Sequence, residues 1–322
     1  MAKAFRIHEH GGPEVMCWQD VDVPPPSQGE AQVRHAAVGL NYIDVYYRTG
    51  LYPVQTPHGI GQEGAGVVEA VGPGVTEVKP GDRVAYATGP LGAYSERRNM
   101  PAAHLVALPQ SISFEQGAAM MLQGMTAQYL IKRTYRVQPG DTVLVHAAAG
   151  GVGLILCQWL AAIGATVIGT AGSKEKCELA LAHGASHCID YSRENFAERV
   201  KALTGGQGVP VVYDSVGKDT FEGSLACLSP FGTLVSFGNS SGAVPPVDLR
   251  ALKGTLYLTR PSLIPYVARR ADLEATARDL MDMVGSGKVK IEIRQRHALA
   301  DAQQAHRDLE ARRTTGSTVL LP

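Results

Sequence analysis

The chain has 322 residues, enough at roughly 150 per domain for about two domains with cores of their own. Thirty Lys and Arg balance thirty Asp and Glu, so the basic field that drives binding to a phosphate backbone is absent and nucleic acid is not an expected partner. Thirty-six glycines, about 11% against a usual 7% or so and without a repeat period, indicate many tight turns and exclude collagen or low complexity. The five cysteines at 17, 157, 177, 188 and 227 form no CxxC pair and fit neither a disulfide framework nor the usual zinc spacings. Residues 1–9 carry no apolar stretch of signal-peptide length, so a reducing, cytoplasmic location is expected.

In chain order, short β-type runs at 31–38, 66–71 and 83–86 are punctuated by Pro24-Pro25-Pro26, Gly72-Pro73-Gly74 and Pro80-Gly81-Asp82, which predicts a β-rich, barrel-like first domain over 1–122. From about Phe114 the period becomes helical, with Ala118, Leu122, Ala127, Leu130 and Ile131 on roughly one side, and it runs to Arg133. Strand patterns at 142–146, 166–170, 187–191, 209–214 and 233–237 then alternate with helical patterns at 152–163, 175–183, 196–203 and 220–228. Five short strands separated by helices predict an open, parallel, doubly wound sheet over 123–260. The remainder, 261–322, follows an apolar run at 256–258. It holds a helix-like 273–284, a short run at 288–293, a helix-like 300–312 and an apolar 318–321, suited to a return to the first domain's sheet.

Residues 142–173 contain no Asp, Glu, Lys or Arg, long enough on length alone to cross a bilayer. Glycines at 150, 151, 153, 164, 169 and 172 divide the stretch into strand, helix and strand, so a buried βαβ core is expected and no membrane span. The turn between the first strand and the helix reads His146-Ala147-Ala148-Ala149-Gly150-Gly151-Val152-Gly153, a variant of GxGxxG. Ala148 makes the turn, Gly150 lets the backbone approach a pyrophosphate, and Gly153 allows close helix packing. The N–H groups of Gly151, Val152 and Gly153 at the helix N-terminus suit the anion. Where an NAD site carries an acid after the second strand, this chain has Gly172, with Ser173, Lys174 and Lys176 close behind. Hydroxyl and ammonium donors there favour a 2′-phosphate, so NADPH is expected over NADH, although Glu175 and a merely solvated helix start keep the alternative open. Tyr191 suits either the adenine end or the core. The loops 215–217 and 237–240, with Ser215, Gly217, Phe237, Gly238, Asn239 and Ser240, fall at strand C-terminal ends where such sheets bind ligands. His146, inside a strand pattern, reads as a core residue.

These segments, with Asn41-Tyr42-Ile43-Asp44, Gly50-Leu51-Tyr52-Pro53, Gly61-Gln62-Glu63-Gly64-Ala65-Gly66, Gly81-Asp82-Arg83-Val84 and Thr259-Arg260-Pro261-Ser262, resemble the medium-chain dehydrogenase/reductase superfamily. Within it the chain is similar to the zinc-free, zeta-crystallin-like NADPH:quinone oxidoreductases. The resemblance spans the whole chain. It implies a GroES-like catalytic domain built from both chain ends, a central Rossmann domain, an interdomain cleft, and a homodimer formed through edge strands near 254–259. It also places Asn41, Tyr46, Tyr52 and Gln62 around a quinone, Thr126 near the nicotinamide amide, and Arg260 either on a phosphate or cleft wall or in an ion pair.

The zinc enzymes of that superfamily carry a ligand Cys where this chain has Asn41, and a His where it has Gln62. No Cys lies between Trp18 and Leu156, so no metal site is expected. Without a Lewis acid, alcohol oxidation loses its main mechanism. Reduction of an electrophilic acceptor needs chiefly that it be held against the nicotinamide. An NADPH-dependent enone or alkenal reductase is the nearest alternative. An RNA-binding or structural role, resting on the short basic pairs Arg269-Arg270 and Arg312-Arg313, is the alternative of another class. Glu63, in a glycine-rich turn, reads as a buried structural carboxylate.

Overall fold

The computed structural model describes all residues, 1–322. They divide into two compact units, one of Met1–Met125, Val267–Met281 and Ile291–Pro322 and the other of Thr126–Tyr266 and Asp282–Lys290. The first junction lies three residues beyond the expected 122, because the helical period of the segment runs through it and marks no break.

In chain order the first unit opens with β1 (Ala2–Ile7), β2 (Met16–Val21), β3 (Glu30–Leu40), α1 (Tyr42–Thr49), β4 (His58–Gly59), β5 (Glu63–Val71), β6 (Arg83–Tyr86), β7 (Arg97–Pro101) and β8 (Val106–Ala107), then enters α2 (Phe114–Tyr129). The second unit contributes β9 (Thr142–Val145), α3 (Gly151–Ile163), β10 (Thr166–Ala171), α4 (Lys174–Ala182), β11 (His187–Asp190), α5 (Phe196–Leu203), β12 (Val209–Asp214), α6 (Phe221–Cys227), β13 (Leu228–Ser236), β14 (Tyr257–Thr259) and α7 (Leu263–Tyr266). The chain closes with α8 (Arg270–Gly285), β15 (Ile293–Ala298), α9 (Ala302–Glu310) and β16 (Ser317–Leu321).

The first unit holds a seven-stranded sheet in the order β15-β16-β3-β5-β6-β8, with β7 also on β3, and a small sheet β2-β1-β4. The terminal strand β16 pairs antiparallel with β3, Thr318 opposite Leu40 and Leu320 opposite Val38, so the chain end completes the sheet begun near its start. Phe5, Ile7, Val33, Val38, Val68, Val84, Leu299 and Leu320 form its core. The short run at 288–293 is not the strand that precedes α9; β15 is. Its residues alternate half-buried and exposed, with Arg294 and Arg296 outward, so an edge strand of polar composition carries no apolar signal.

The second unit is a parallel sheet in the order β11-β10-β9-β12-β13-β14. It has six strands, one more than the alternation predicted, because the three-residue β14 adds at the edge. The order reverses between β9 and β12, which makes their C-terminal ends the expected ligand crevice of the sheet. Leu144, Ile168, Ile189, Val212 and Leu234 fill its core. The uncharged stretch is β9, α3 and β10, with Leu154, Ile155, Leu156, Trp159 and Leu160 of α3 buried, and no helix is long and apolar enough to cross a membrane.

Candidate active site

After β9 the chain turns sharply into α3. Ala147 takes a left-handed φ of 51°, rare for a residue with a Cβ and a mark of local strain. A Cβ on Gly153 would clash with the Ala147 carbonyl oxygen, far inside van der Waals contact, and lie 2.8 Å from Ala148 Cα, so only glycine allows this helix to start so close to the strand. Ala148 donates its N–H to Thr170 O at 2.9 Å. Gly150 caps α3 with no side-chain acceptor, so the first N–H groups of the helix and its positive dipole end are left for an anion. This cradle fits the pyrophosphate of a dinucleotide.

At the end of β10, a Cβ on Gly172 would lie 2.7 Å from Tyr191 Oη; the missing side chain gives the Tyr191 ring its place. Ser173 Oγ accepts from Lys176 N at 3.3 Å and caps α4. Its hydroxyl, after Glu175's own backbone N–H, also holds the exposed Glu175 carboxyl below its usual range, so it must turn to meet a phosphate. Lys174 lies 3.7 Å from Glu178. No carboxylate replaces Gly172, and the donor set suits a 2′-phosphate.

Asp214, at the end of β12, accepts from Val216 N at 2.8 Å, Gly217 N at 3.0 Å, Thr220 Oγ1 at 2.8 Å and Ser224 Oγ at 2.8 Å. Because Ser224 gives its hydrogen to Asp214, His146 must donate from Nε2 to Ser224 Oγ, 3.0 Å away. Its Nδ1 then accepts from Thr170 Oγ1 at 2.9 Å, and the imidazole is neutral. Burial pushes the ring below its usual pKa and Asp214 pulls it up. His146 is thus a core residue that ties β9, β10 and β12 at their C-terminal ends. The loops beyond are stitched backbone to backbone. Phe237 N donates to Asp214 O at 2.8 Å and Ser240 N to Ser215 O at 3.2 Å. A Cβ on Gly238 would meet Ser215 O at 2.5 Å, and one on Gly217, whose φ is 91°, would meet Gly242 O at 2.7 Å. With its amide turned to satisfy both neighbours, Asn239 accepts from Arg260 Nη2 at 2.9 Å. Thr126 is buried in α2.

In the first unit, Asn41 caps α1 and sits within a buried polar network. Its Nδ2 donates to Glu63 Oε2 at 2.6 Å, Gln123 Nε2 donates to its Oδ1 at 3.1 Å, and its backbone N–H donates to Asp44 Oδ2 at 2.9 Å. Arg48 forms a two-pronged pair with Glu310, 2.7 and 2.9 Å, and donates to His306 Nδ1 at 2.9 Å. An arginine only donates, so His306 carries its proton on Nε2, facing Tyr94 Oη at 3.2 Å, and Tyr94 donates to Asp44 Oδ2 at 2.9 Å. Burial, with the Arg48 charge, pushes His306 down to about 3. Burial pushes Asp44 up to about 7 against the pull of Asn41 N–H and the Tyr94 hydroxyl. Glu63 goes up to about 8 for the same reason, against the pull of Asn41 and Leu122 N–H.

Tyr46, expected to offer its hydroxyl, has its ring buried 5.6 Å from Tyr42 and 5.0 Å from Tyr52. Tyr52 is half-buried, and Gln62 is buried beside the hydroxyl of Tyr47. Asn41 and Gln62 begin or precede neighbouring elements and so share a region with the tyrosines of α1. Tyr47, Asp44, Tyr94 and His306 were not read from the sequence. Tyr47 had a signal as one of a tyrosine run and Asp44 as the last residue of the Asn41-Tyr42-Ile43-Asp44 motif, while the Tyr94 to His306 contact spans 212 residues. No group of three or more His, Cys, Asp or Glu side chains is placed to hold a metal ion.

A six-stranded parallel sheet with a glycine-cradled helix start at its switch point, in a chain that also carries a β-rich unit, defines a pyridine-nucleotide oxidoreductase. Residues 27–110 match the alcohol dehydrogenase GroES-like domain and residues 151–283 the zinc-binding dehydrogenase family. The chain is 56% identical to the quinone oxidoreductase of Pseudomonas aeruginosa, over all of both chains. It is 43% identical to a 2-haloacrylate reductase of Burkholderia, over 100% of this chain and 99% of that one. Its fold superposes on the crystal structure of Escherichia coli quinone oxidoreductase complexed with NADPH with a TM-score of 0.98, at 49% identity and complete coverage of both. The chain belongs to the quinone oxidoreductases of the medium-chain dehydrogenase/reductase superfamily.

Proposed function

We propose that the chain is an NADPH:quinone oxidoreductase that works without zinc, as a cytoplasmic homodimer. The observation that carries the reading is the nature of the groups at Asn41: a neutral amide held by Glu63 and Gln123 stands where a metal enzyme needs a ligand. NADPH, when bound, supplies a hydride from its nicotinamide ring. Gly150, Gly151, Val152 and Gly153, with Ala148 behind them, hold the pyrophosphate. Gly172, Ser173, Lys176 and Tyr191 take the 2′-phosphate and adenine end. Ser215, Gly217, Phe237, Gly238, Asn239 and Ser240 line the ends of β12 and β13, with Arg260 braced by Asn239, and Thr126 serves the nicotinamide amide.

Asn41, Gln62, Tyr46 and Tyr52 surround the quinone. Their N–H and O–H groups face the oxygens on which negative charge grows as the ring is reduced, and the rings of Tyr46 and Tyr52 exclude water. The proton is taken from water or from a tyrosine hydroxyl. Homodimerisation uses β14, the sheet edge, where Tyr257 is 58% and Leu258 38% exposed. Five free thiols suit a reducing compartment.

The test is oxidation followed at 340 nm with 1,2-naphthoquinone, NADPH and NADH in parallel, with and without a chelator, and with a simple enone alongside. NADPH-selective, chelator-resistant quinone reduction is expected. Turnover of the enone but not the quinone would replace the substrate assignment, and loss of activity with chelator would end the zinc-free one.

A further inference from the structure

Glu63 begins β5 and is fully buried, yet its carboxylate serves two elements distant in sequence. Oε1 accepts the backbone N–H of Leu122 at 2.7 Å, and the Met121 N–H adds a smaller pull on the carboxyl. Both N–H groups belong to α2, so the carboxylate ties the start of β5 to the middle of that helix. Oε2 accepts from Asn41 Nδ2 at 2.6 Å. Behind Asn41 the donors line up in one direction: Ser317 Oγ donates to Gln123 Oε1 at 2.7 Å, and Gln123 Nε2 to Asn41 Oδ1 at 3.1 Å. A hydroxyl and two amides accept either direction equally; an acceptor-only carboxylate at the end selects one.

We propose that Glu63 is a positioning residue: by ending the chain Ser317–Gln123–Asn41 with an acceptor, it holds the Asn41 amide nitrogen-side toward itself and keeps that nitrogen's second N–H as a donor for a quinone oxygen. This rests on the reading of Asn41 as substrate-facing. Around Glu63 stand Asp44 of α1, whose charge raises it, Tyr86 of β6 and Tyr94, which feel its charge, and His35 of β3, bonded to Tyr86. Burial pushes Glu63 up to about 8, so the acceptor-only form is lost as pH falls through that region.

The experiment compares wild type with Glu63→Gln, Glu63→Asp, Ser317→Ala and Asn41→Ala. It measures kcat and KM for 1,4-benzoquinone from pH 6 to 9.5, and the NADPH Kd by fluorescence without quinone. Glu63→Gln sets an amide N–H against a donor and is expected to lower kcat/KM for the quinone about tenfold or more, with NADPH Kd unchanged within about twofold. The wild-type rise in kcat/KM through about pH 8 should vanish in Glu63→Gln and persist in Glu63→Asp with part of the activity. Ser317→Ala should lower the same parameter about two- to fivefold. Wild-type quinone kinetics in Glu63→Gln, or an equal loss in NADPH affinity, would overturn the proposal. If Asn41→Ala is impaired and Glu63→Gln is not, the positioning role alone fails; an unimpaired Asn41→Ala removes the substrate-facing reading and the proposal together. Should Glu63→Gln not fold, Glu63→Asp and Ser317→Ala decide by the same parameters.

Discussion

At Gly153 a single methyl group decides whether the helix can begin where it does. Its carbon would overlap the Ala147 carbonyl and stand 2.8 Å from Ala148 Cα, both backbone atoms that cannot turn aside. Gly153→Ala is therefore expected to push α3 off its cradle and weaken NADPH about tenfold or more, seen as a raised Kd in a fluorescence titration; an unchanged Kd would remove the pyrophosphate from this turn. Gly172 is a different case. The atom that its Cβ would meet is the hydroxyl of Tyr191, a ring 41% exposed and free to swing. Gly172→Asp is expected to fold and to place a carboxylate against the 2′-phosphate. The ratio of kcat/KM for NADPH over NADH should fall about tenfold or more, and a ratio left intact would show that the adenine ribose lies elsewhere. Both glycines were legible because local spacing defines them. The Arg48–His306–Tyr94–Asp44 series was not, since its members lie up to 258 residues apart and each, taken singly, reads as an ordinary surface or core residue.

Elements show the same division. The central strands and α3 of the second unit were readable because each is an apolar run closed by a turn residue; α3 ends at Gly164 in a left-handed conformation with φ 94°. β15 was not, because none of its residues is buried and its outward positions are polar or small. β1 and β2, bounded by Gly11-Gly12-Pro13 and Pro24-Pro25-Pro26, were not read because β2 buries only Met16 and carries little apolar pattern. At one edge of the second unit's sheet, β14 pairs Tyr257 with Thr233, Leu258 with Leu234 and Thr259 with Val235 on one side and carries an unpaired edge on the other. Large apolar side chains on such an edge suit a second copy of the chain. Tyr257→Glu combined with Leu258→Lys is expected to shift sedimentation from dimer to monomer while leaving the NADPH Kd unchanged. A variant that remains dimeric would move the interface away from β14.

For the whole molecule, the buried ionisable groups of the first unit set how stability responds to pH. His35 is pushed down to about 4, mainly by burial and further by the Arg98 charge, against its bond to Ser95, and His306 to about 3. Each stays neutral in the fold while the unfolded chain takes up a proton below about 6.5, so each costs stability as pH falls from there. Asp44 and Glu63, raised by burial to about 7 and about 8, behave in the opposite sense. They remain protonated in the fold after the unfolded chain has released its protons near pH 4, so their contribution is full below that point and is lost as pH rises through 7 and 8. Each unmatched proton changes stability by about 1.4 kcal/mol per pH unit. Between about pH 4.5 and 6.5 the His35 and His306 contributions oppose those of the two carboxyls, and His146, also kept neutral by burial, tips the balance toward stability that rises with pH. Above 6.5 the histidines no longer titrate in either state and the carboxyls act alone. The urea midpoint is therefore expected to rise gently across the lower range and to fall between about pH 6.5 and 8. Asp44→Asn should remove about half of the fall below pH 7, and Glu63→Gln the other half there and all of it between 7 and 8, each at the expense of some stability from its altered hydrogen bonds. A midpoint that stays level above pH 6.5 in the wild type, or a fall that neither substitution reduces, would show that these two carboxyls are ionised in the folded protein at neutral pH.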